Sequence, residues 1–209
     1  MELIAPVIAR PIIEALQSGR RVFWLIPGGS AAQLAILVMD LIAPALRTKL
    51  HITLTDERYG PPGHEDSNWH QLELAGFNST GAVSSPVLNG TDFLAATRSY
   101  NDYLDKELNS ADYKIALFGI GADGHTAGIL PHSVAADSQS WAEGYEAPNF
   151  YRITMTPAAI AELDEAFVFA AGEAKWPALS QLKDSLDISE QPAQALKKAD
   201  KLTIFTDYK

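Results

Sequence analysis

Three uninterrupted apolar runs constrain this chain most: Val22–Ile26 (VFWLI), Ile115–Phe118 (IALF) and Phe167–Ala171 (FVFAA), each running straight into a glycine-bearing turn. A strand with one wet face alternates apolar and polar residues, whereas a run without alternation belongs to a strand covered on both faces. Such strands need layers above and below them. The intervening segments supply these: Ile8, Ile12, Ala15 and Leu16, then Leu34, Leu37, Val38, Leu41 and Ala45, fall on one face at helical spacing. A second strand is predicted over Leu50–Thr55, a helix opening at Thr91 carries Phe93, Tyr100, Leu104 and Leu108, and Pro192–Lys198 precedes a last strand, Leu202–Phe205. Alternating strands and helices predict an α/β fold, a doubly wound, mostly parallel sheet flanked by helices in the Rossmann-like manner. With 209 residues, 47% of them apolar, one domain spanning 1–209 is expected. Asn78–Gly90 reads as a turn-rich linker, and Ser133–Asn149 as a polar, irregular surface segment whose Trp141 and Tyr145 fold over the site.

Sixteen basic against twenty-six acidic residues leave a net charge of −10, which argues against nonspecific nucleic-acid binding while leaving room for a local basic pocket. There is no cysteine, so thiol catalysis, disulfides and cysteine-ligated metals are excluded. The amino-terminal stretch lacks a basic segment followed by a long apolar one, and no apolar run reaches the ~18 residues needed to span a bilayer. A cytoplasmic protein without membrane partners is expected.

The candidate site residues sit where strands end. After the first run, Pro27-Gly28-Gly29-Ser30 precedes a helix, and strand, glycine turn, helix is an arrangement that binds phosphate on free N–H groups and the helix dipole. Ser30 either donates its hydroxyl to the anion or simply caps the helix. Asp56 and Arg58 directly follow the second strand, beyond whose carboxyl end ligands bind in such sheets; the plainer reading is a solvated turn with an internal ion pair. Gly172-Glu173-Ala174-Lys175 is a second glycine-led turn from which Lys175 reaches an anion, or else an ordinary surface lysine. Between them, Gly119-Ile120-Gly121-Ala122-Asp123-Gly124-His125-Thr126 forms a glycine loop that presents a histidine. Imidazole is the side chain best suited to moving protons near neutral pH, although one loop histidine taken alone can be incidental.

Three other readings are weaker, a serine hydrolase remaining a minor alternative. Gly119, Gly121 and Gly124 satisfy GxGxxG literally, but Pro131 interrupts the helix that a dinucleotide fingerprint needs, and Glu143 lies in an unstrandlike segment. Ser30 follows the first strand, too early for a nucleophile elbow. His64, Asp66 and His70 form a loose cluster without metal-ligand spacing.

In order along the chain, PGGSAAQL from Pro27, TDERYGPPGHEDSN from Thr55, GIGADGHTAGILP from Gly119, RITMTPAAI from Arg152 and AAGEAKWPAL from Ala170 resemble the 6-phosphogluconolactonase family of the glucosamine-6-phosphate isomerase/deaminase-like superfamily. The resemblance implies hydrolysis of a phosphorylated sugar lactone, 6-phosphoglucono-δ-lactone, in the oxidative pentose phosphate pathway, without metal or cofactor. It implies that His125 is the general base on water and that Asp123 orients it. Gly28, Gly29 and Ser30 would bind phosphate with Arg152 and Lys175 as cationic clamps, and Asp56, Arg58 and Asn68 would line the sugar end. Ala31-Ala32, Ala122 and Leu130-Pro131-His132 depart from the family pattern. Rival readings are a glucosamine-6-phosphate deaminase or isomerase, against which Arg58 and Thr126-Ala127 speak, and a sugar-phosphate sensor without turnover, disfavoured by Asp123 and His125 together.

Overall fold

In the computed structural model, which describes residues 1–209, the first apolar run is β1 (Val22–Ile26). It is followed by β2 (Leu50–Leu54), β3 (Asp56–Arg58), β4 (Val83–Ser84), β5 (Tyr113–Phe118), β6 (Ala142–Glu146), β7 (Tyr151–Met155), β8 (Glu165–Ala170) and β9 (Leu202–Thr206). Six of them form a sheet in the order β4-β2-β1-β5-β8-β9, and every neighbouring pair is parallel. All five residues of β1 are buried, as a centrally placed, two-sided strand requires. Chain order runs outward from β1 on one side and from β5 on the other, so the winding reverses between these two strands. A crevice opens beyond their carboxyl ends at such a reversal.

The α-helices are α1 (Ala5–Gln17), α2 (Ala32–Leu41), α3 (Asn68–Leu74), α4 (Phe93–Ser110), α5 (Val134–Asp137), α6 (Pro157–Ile160) and α7 (Trp176–Gln181). The predicted apolar face of α1 is inside, with Ile8, Ile12, Ala15 and Leu16 buried; α2 buries Leu34 and Val38 of its predicted face, but Leu41 is exposed and Ala45 lies beyond the end of the helix. Pro11 lies within α1, one turn after the part-exposed Val7, whose carbonyl can turn to solvent in place of the missing helical bond. Pro192–Lys198 winds as a 3-10 helix. No helix is long and apolar enough to cross a membrane.

A second, antiparallel sheet, β3-β7-β6, stands at the carboxyl end of the first. It corrects two expectations. Asp56-Glu57-Arg58 is a short strand pairing Asp56 with Thr154 and Arg58 with Arg152, not a solvated turn. Ser133–Asn149 is not irregular, because α5 and β6 lie within it and β6 pairs along its length with β7. AEGYE has little intrinsic strand character; pairing with β7 and packing against α4 override that preference. Trp141 donates its indole N–H to Asp105 of α4 at 2.9 Å, and so faces α4 instead of closing over the crevice.

Glu57 joins the two parts. Fully buried, its carboxylate accepts the N–H groups of Arg58 (2.7 Å), Asn68 (2.7 Å) and Trp69 (3.1 Å) and the Ser67 hydroxyl (2.9 Å). It thereby satisfies the amino-terminal N–H groups of α3 that have no helical partner. The Glu57→Gln amide keeps the shape but turns an NH2 toward at least one of these donors. Chemical denaturation should show a loss of about 2 kcal/mol or more at unchanged denaturant slope.

Candidate active site

The crevice between β1 and β5 is a cleft of about 250 Å³. Four separate segments meet there: the Gly28–Ala31 turn, Asp56, the Gly119–Ala127 loop and Lys175.

On the β1 side, Gly29 takes φ 61°, a left-handed conformation that glycine adopts without steric cost. Gly28 is small for another reason. A Cβ there would lie 2.3 Å from Asn68 Oδ1, so the Asn68 amide fills the space of its side chain. Asn68 donates Nδ2–H to the Asp56 carbonyl at 3.0 Å, and its buried Oδ1 has no partner. Asn68 thus lies directly behind the turn. Ser30 makes no capping bond to α2, which removes the plainer reading of that residue. Instead its Oγ accepts from Lys175 Nζ at 3.2 Å.

Lys175 reaches across from the turn after β8, where Gly172 takes φ 108°. Burial lowers the pKa of its ammonium. The turn is held by Asp207, which accepts the Trp176 indole N–H at 3.1 Å and the Gly172 N–H at 3.0 Å; these bonds hold the Asp207 carboxyl below its usual range. Sequence reasoning passed over Asp207, which lies 32 positions after Lys175 with no local pattern linking the two.

On the β5 side, Asp123 Oδ1 lies 2.6 Å from His125 Nδ1 and accepts the His125 backbone N–H at 3.1 Å. A carboxylate at that distance fixes the ring proton on Nδ1 and leaves Nε2 as the acceptor. Partial burial pushes the Asp123 carboxyl up, but the His125 N–H, the charge of His125 and the ring N–H together bring it below its usual range. The loop is tightly folded: Gly121 N–H donates to the His125 carbonyl at 2.9 Å, and Thr126 Oγ1 to the Gly119 carbonyl at 2.9 Å. A Cβ on Gly121 would fall 2.2 Å from His125 Nδ1, so the ring occupies the space that a side chain on Gly121 would need.

Asp56 forms the floor. Burial pushes its carboxyl up, opposed by Arg152, whose Nη1 is 3.2 Å from Oδ2, and by the charge of His125. Neither arginine lines the cleft: Arg152 is engaged with Asp56, while Arg58 donates to the Asp66 carbonyl at 3.3 Å and stacks 4.9 Å above the Phe150 ring. His64 bonds the Arg58 carbonyl at 3.0 Å, and no three His, Asp or Glu side chains converge to hold a metal ion. The structure therefore brings Gly28, Gly29, Ser30, Asp56, His125 and Lys175 to one cleft, with Asp123 beside it and Asn68, Arg58 and Arg152 one layer behind. Such a site offers a proton acceptor together with N–H, hydroxyl and ammonium donors.

The sequence model of the family described as glucosamine-6-phosphate isomerases/6-phosphogluconolactonase matches residues 2–205. A 6-phosphogluconolactonase from Nostoc is 30% identical over 148 residues, covering 64% of this chain and 60% of that protein's length. One from Rhizobium meliloti is 26% identical over 163 residues, 71% of this chain and 68% of the relative. Among solved structures, a 6-phosphogluconolactonase from Shewanella baltica superposes with a TM-score of 0.83 at 23% identity, covering 98% of this chain and 91% of that one, a likeness of fold.

Proposed function

Because the chain belongs to the family of glucosamine-6-phosphate isomerases and 6-phosphogluconolactonases, we propose that it hydrolyses 6-phosphoglucono-δ-lactone to 6-phosphogluconate. One observation carries this reading: the Asp123–His125 pair, at 2.6 Å, shares a cleft with a glycine turn and the Ser30–Lys175 contact, at 3.2 Å. A proton carrier and an anion grip thus share one cleft with a buried carboxyl, that of Asp56.

The phosphate sits on the free N–H groups of Gly28 and Gly29 and the Ser30 hydroxyl. Lys175 neutralises it, exchanging its bond to Ser30 for one to the anion. This places the lactone ring toward His125. Nε2 removes a proton from water as the water oxygen bonds to the lactone carbonyl carbon. The tetrahedral intermediate then collapses, the bond from that carbon to the ring oxygen breaks, and the imidazolium returns its proton to the departing ring oxygen. Asp123 keeps the ring in the required tautomer and balances the transient positive charge. A lactone is already an activated acyl group, so positioning and one proton carrier suffice. Asp56 bounds the sugar end and Arg152 holds it in place, while Asn68 backs the phosphate turn from behind Gly28.

The deciding measurement is lactone hydrolysis above the spontaneous rate, run beside a glucosamine-6-phosphate deaminase assay. Turnover in the second and not the first would overturn the reading in favour of the other branch of the family. For the anion grip, Lys175→Ala should raise KM by at least about tenfold, since a charge-assisted bond is worth roughly 1.5–3 kcal/mol, and leave kcat within a few fold. An unchanged KM would remove Lys175 from the grip.

A further inference from the structure

Tyr145 has no part in the chemistry above, yet its side chain leaves β6 for the loop that follows His125. Its hydroxyl donates to the Gly128 carbonyl at 2.6 Å and accepts the Leu130 N–H at 3.3 Å. On the other side of the same glycine, the Gly128 N–H donates to Thr154 Oγ1 of β7 at 3.0 Å. Both polar groups of Gly128 are therefore gripped by neighbouring strands. The fit is close, because a Cβ on Gly128 would lie 2.9 Å from the Cβ atoms of Asp56 and Thr154.

The residue before it, Ala127, lines the cleft and takes φ 50°. A non-glycine residue in the left-handed region persists only where its surroundings over-determine it. Upstream, the loop is tied to the end of β5 through the Thr126 hydroxyl and the Gly119 carbonyl. Downstream, Tyr145 and Thr154 supply the restraint. We propose, building on the lactonase reading, that Tyr145 is a positioning residue for the reaction: through Gly128 it holds Ala127 left-handed and so sets how His125 faces the cleft. The antiparallel sheet thereby aligns the base with Asp56, which sits on the same sheet.

The test is a double-mutant cycle. Tyr145→Phe should lower kcat for the lactone by about tenfold, the scale expected when a reacting group is slightly misplaced. KM and the affinity for inorganic phosphate, measured by calorimetry, should stay within about twofold. Thr154→Val, which loosens the other grip, should do the same. Glycine adopts positive φ freely, so the loss caused by Tyr145→Phe should shrink several-fold when measured in an Ala127→Gly background. An undiminished loss, or parallel changes in KM and phosphate affinity, would overturn the proposal. The His125 ring ¹⁵N signals provide a readout independent of turnover. They should shift in Tyr145→Phe and return with Ala127→Gly even if the wild-type protein fails to hydrolyse the lactone, an outcome that would sink the function alone. Unmoved ring signals would sink the positioning role.

Discussion

His125→Ala should lower kcat for lactone hydrolysis by about 10²–10⁴ and leave KM and inorganic-phosphate binding nearly unchanged. The separation follows from the geometry. His125 lines the same cleft as Ser30 and Lys175 but bonds neither, its ring bonding only Asp123, so removing it takes a proton carrier from the transition state and none of the groups assigned to the phosphate. The lactone opens by itself in water, so the residual rate must be taken after subtracting the uncatalysed one. Full activity in the variant would remove His125 from the mechanism, and a loss confined to KM would turn it into a binding residue. The fold should be untouched, since the side chain is about one-third exposed.

Gly121→Ala is expected to cost nearly as much without removing any reacting group. The added methyl would stand 2.2 Å from His125 Nδ1 and 2.7 Å from Asp123 Oδ1, distances that no side chain tolerates. The histidine ring is the part free to move, because the Gly121 backbone is tied by its N–H to the His125 carbonyl at 2.9 Å and by its own carbonyl to the Gly124 N–H at 3.1 Å. The ring should swing off the backbone and break its contact with Asp123. The result expected is a kcat loss of about 10²-fold or more, as for other misplacements of a reacting group by an ångström. Thermal unfolding should be little changed and phosphate binding intact. Wild-type kcat in Gly121→Ala would mean that the Asp123–His125 contact does not set the rate.

The sheet was legible where burial writes itself into composition. β1, β5 and β8 are covered on both faces, and apart from the polar starts of β5 and β8 they carry unbroken apolar runs. The Asp123–His125 contact was legible because its partners stand only two positions apart. The Ser30–Lys175 contact spans 145 positions, yet both of its residues stand in glycine-led turns at strand ends, which marked each of them separately. What escaped notice has no local pattern. Tyr145 reaches Gly128 through one hydroxyl, Asp207 holds the Lys175 turn from the far side of β9, and Arg152 meets Asp56 through an antiparallel register. β6 was hidden because a charged, glycine-containing segment becomes a strand only when β7 is beside it.

The switch in winding between β1 and β5 also makes the cleft depend on two separate strand pairings. The anion turn and the histidine loop become neighbours once those two strands pair, Val22 against Tyr113 through Leu25 against Ala116. Lys175 joins them through the separate pairing of β8 with the outer side of β5. Such long-range parallel pairings form slowly because a long loop must close before any contact rewards it. A chain with only the first pairing formed would hold its base and its phosphate turn in place, yet would lack the ammonium that grips the anion.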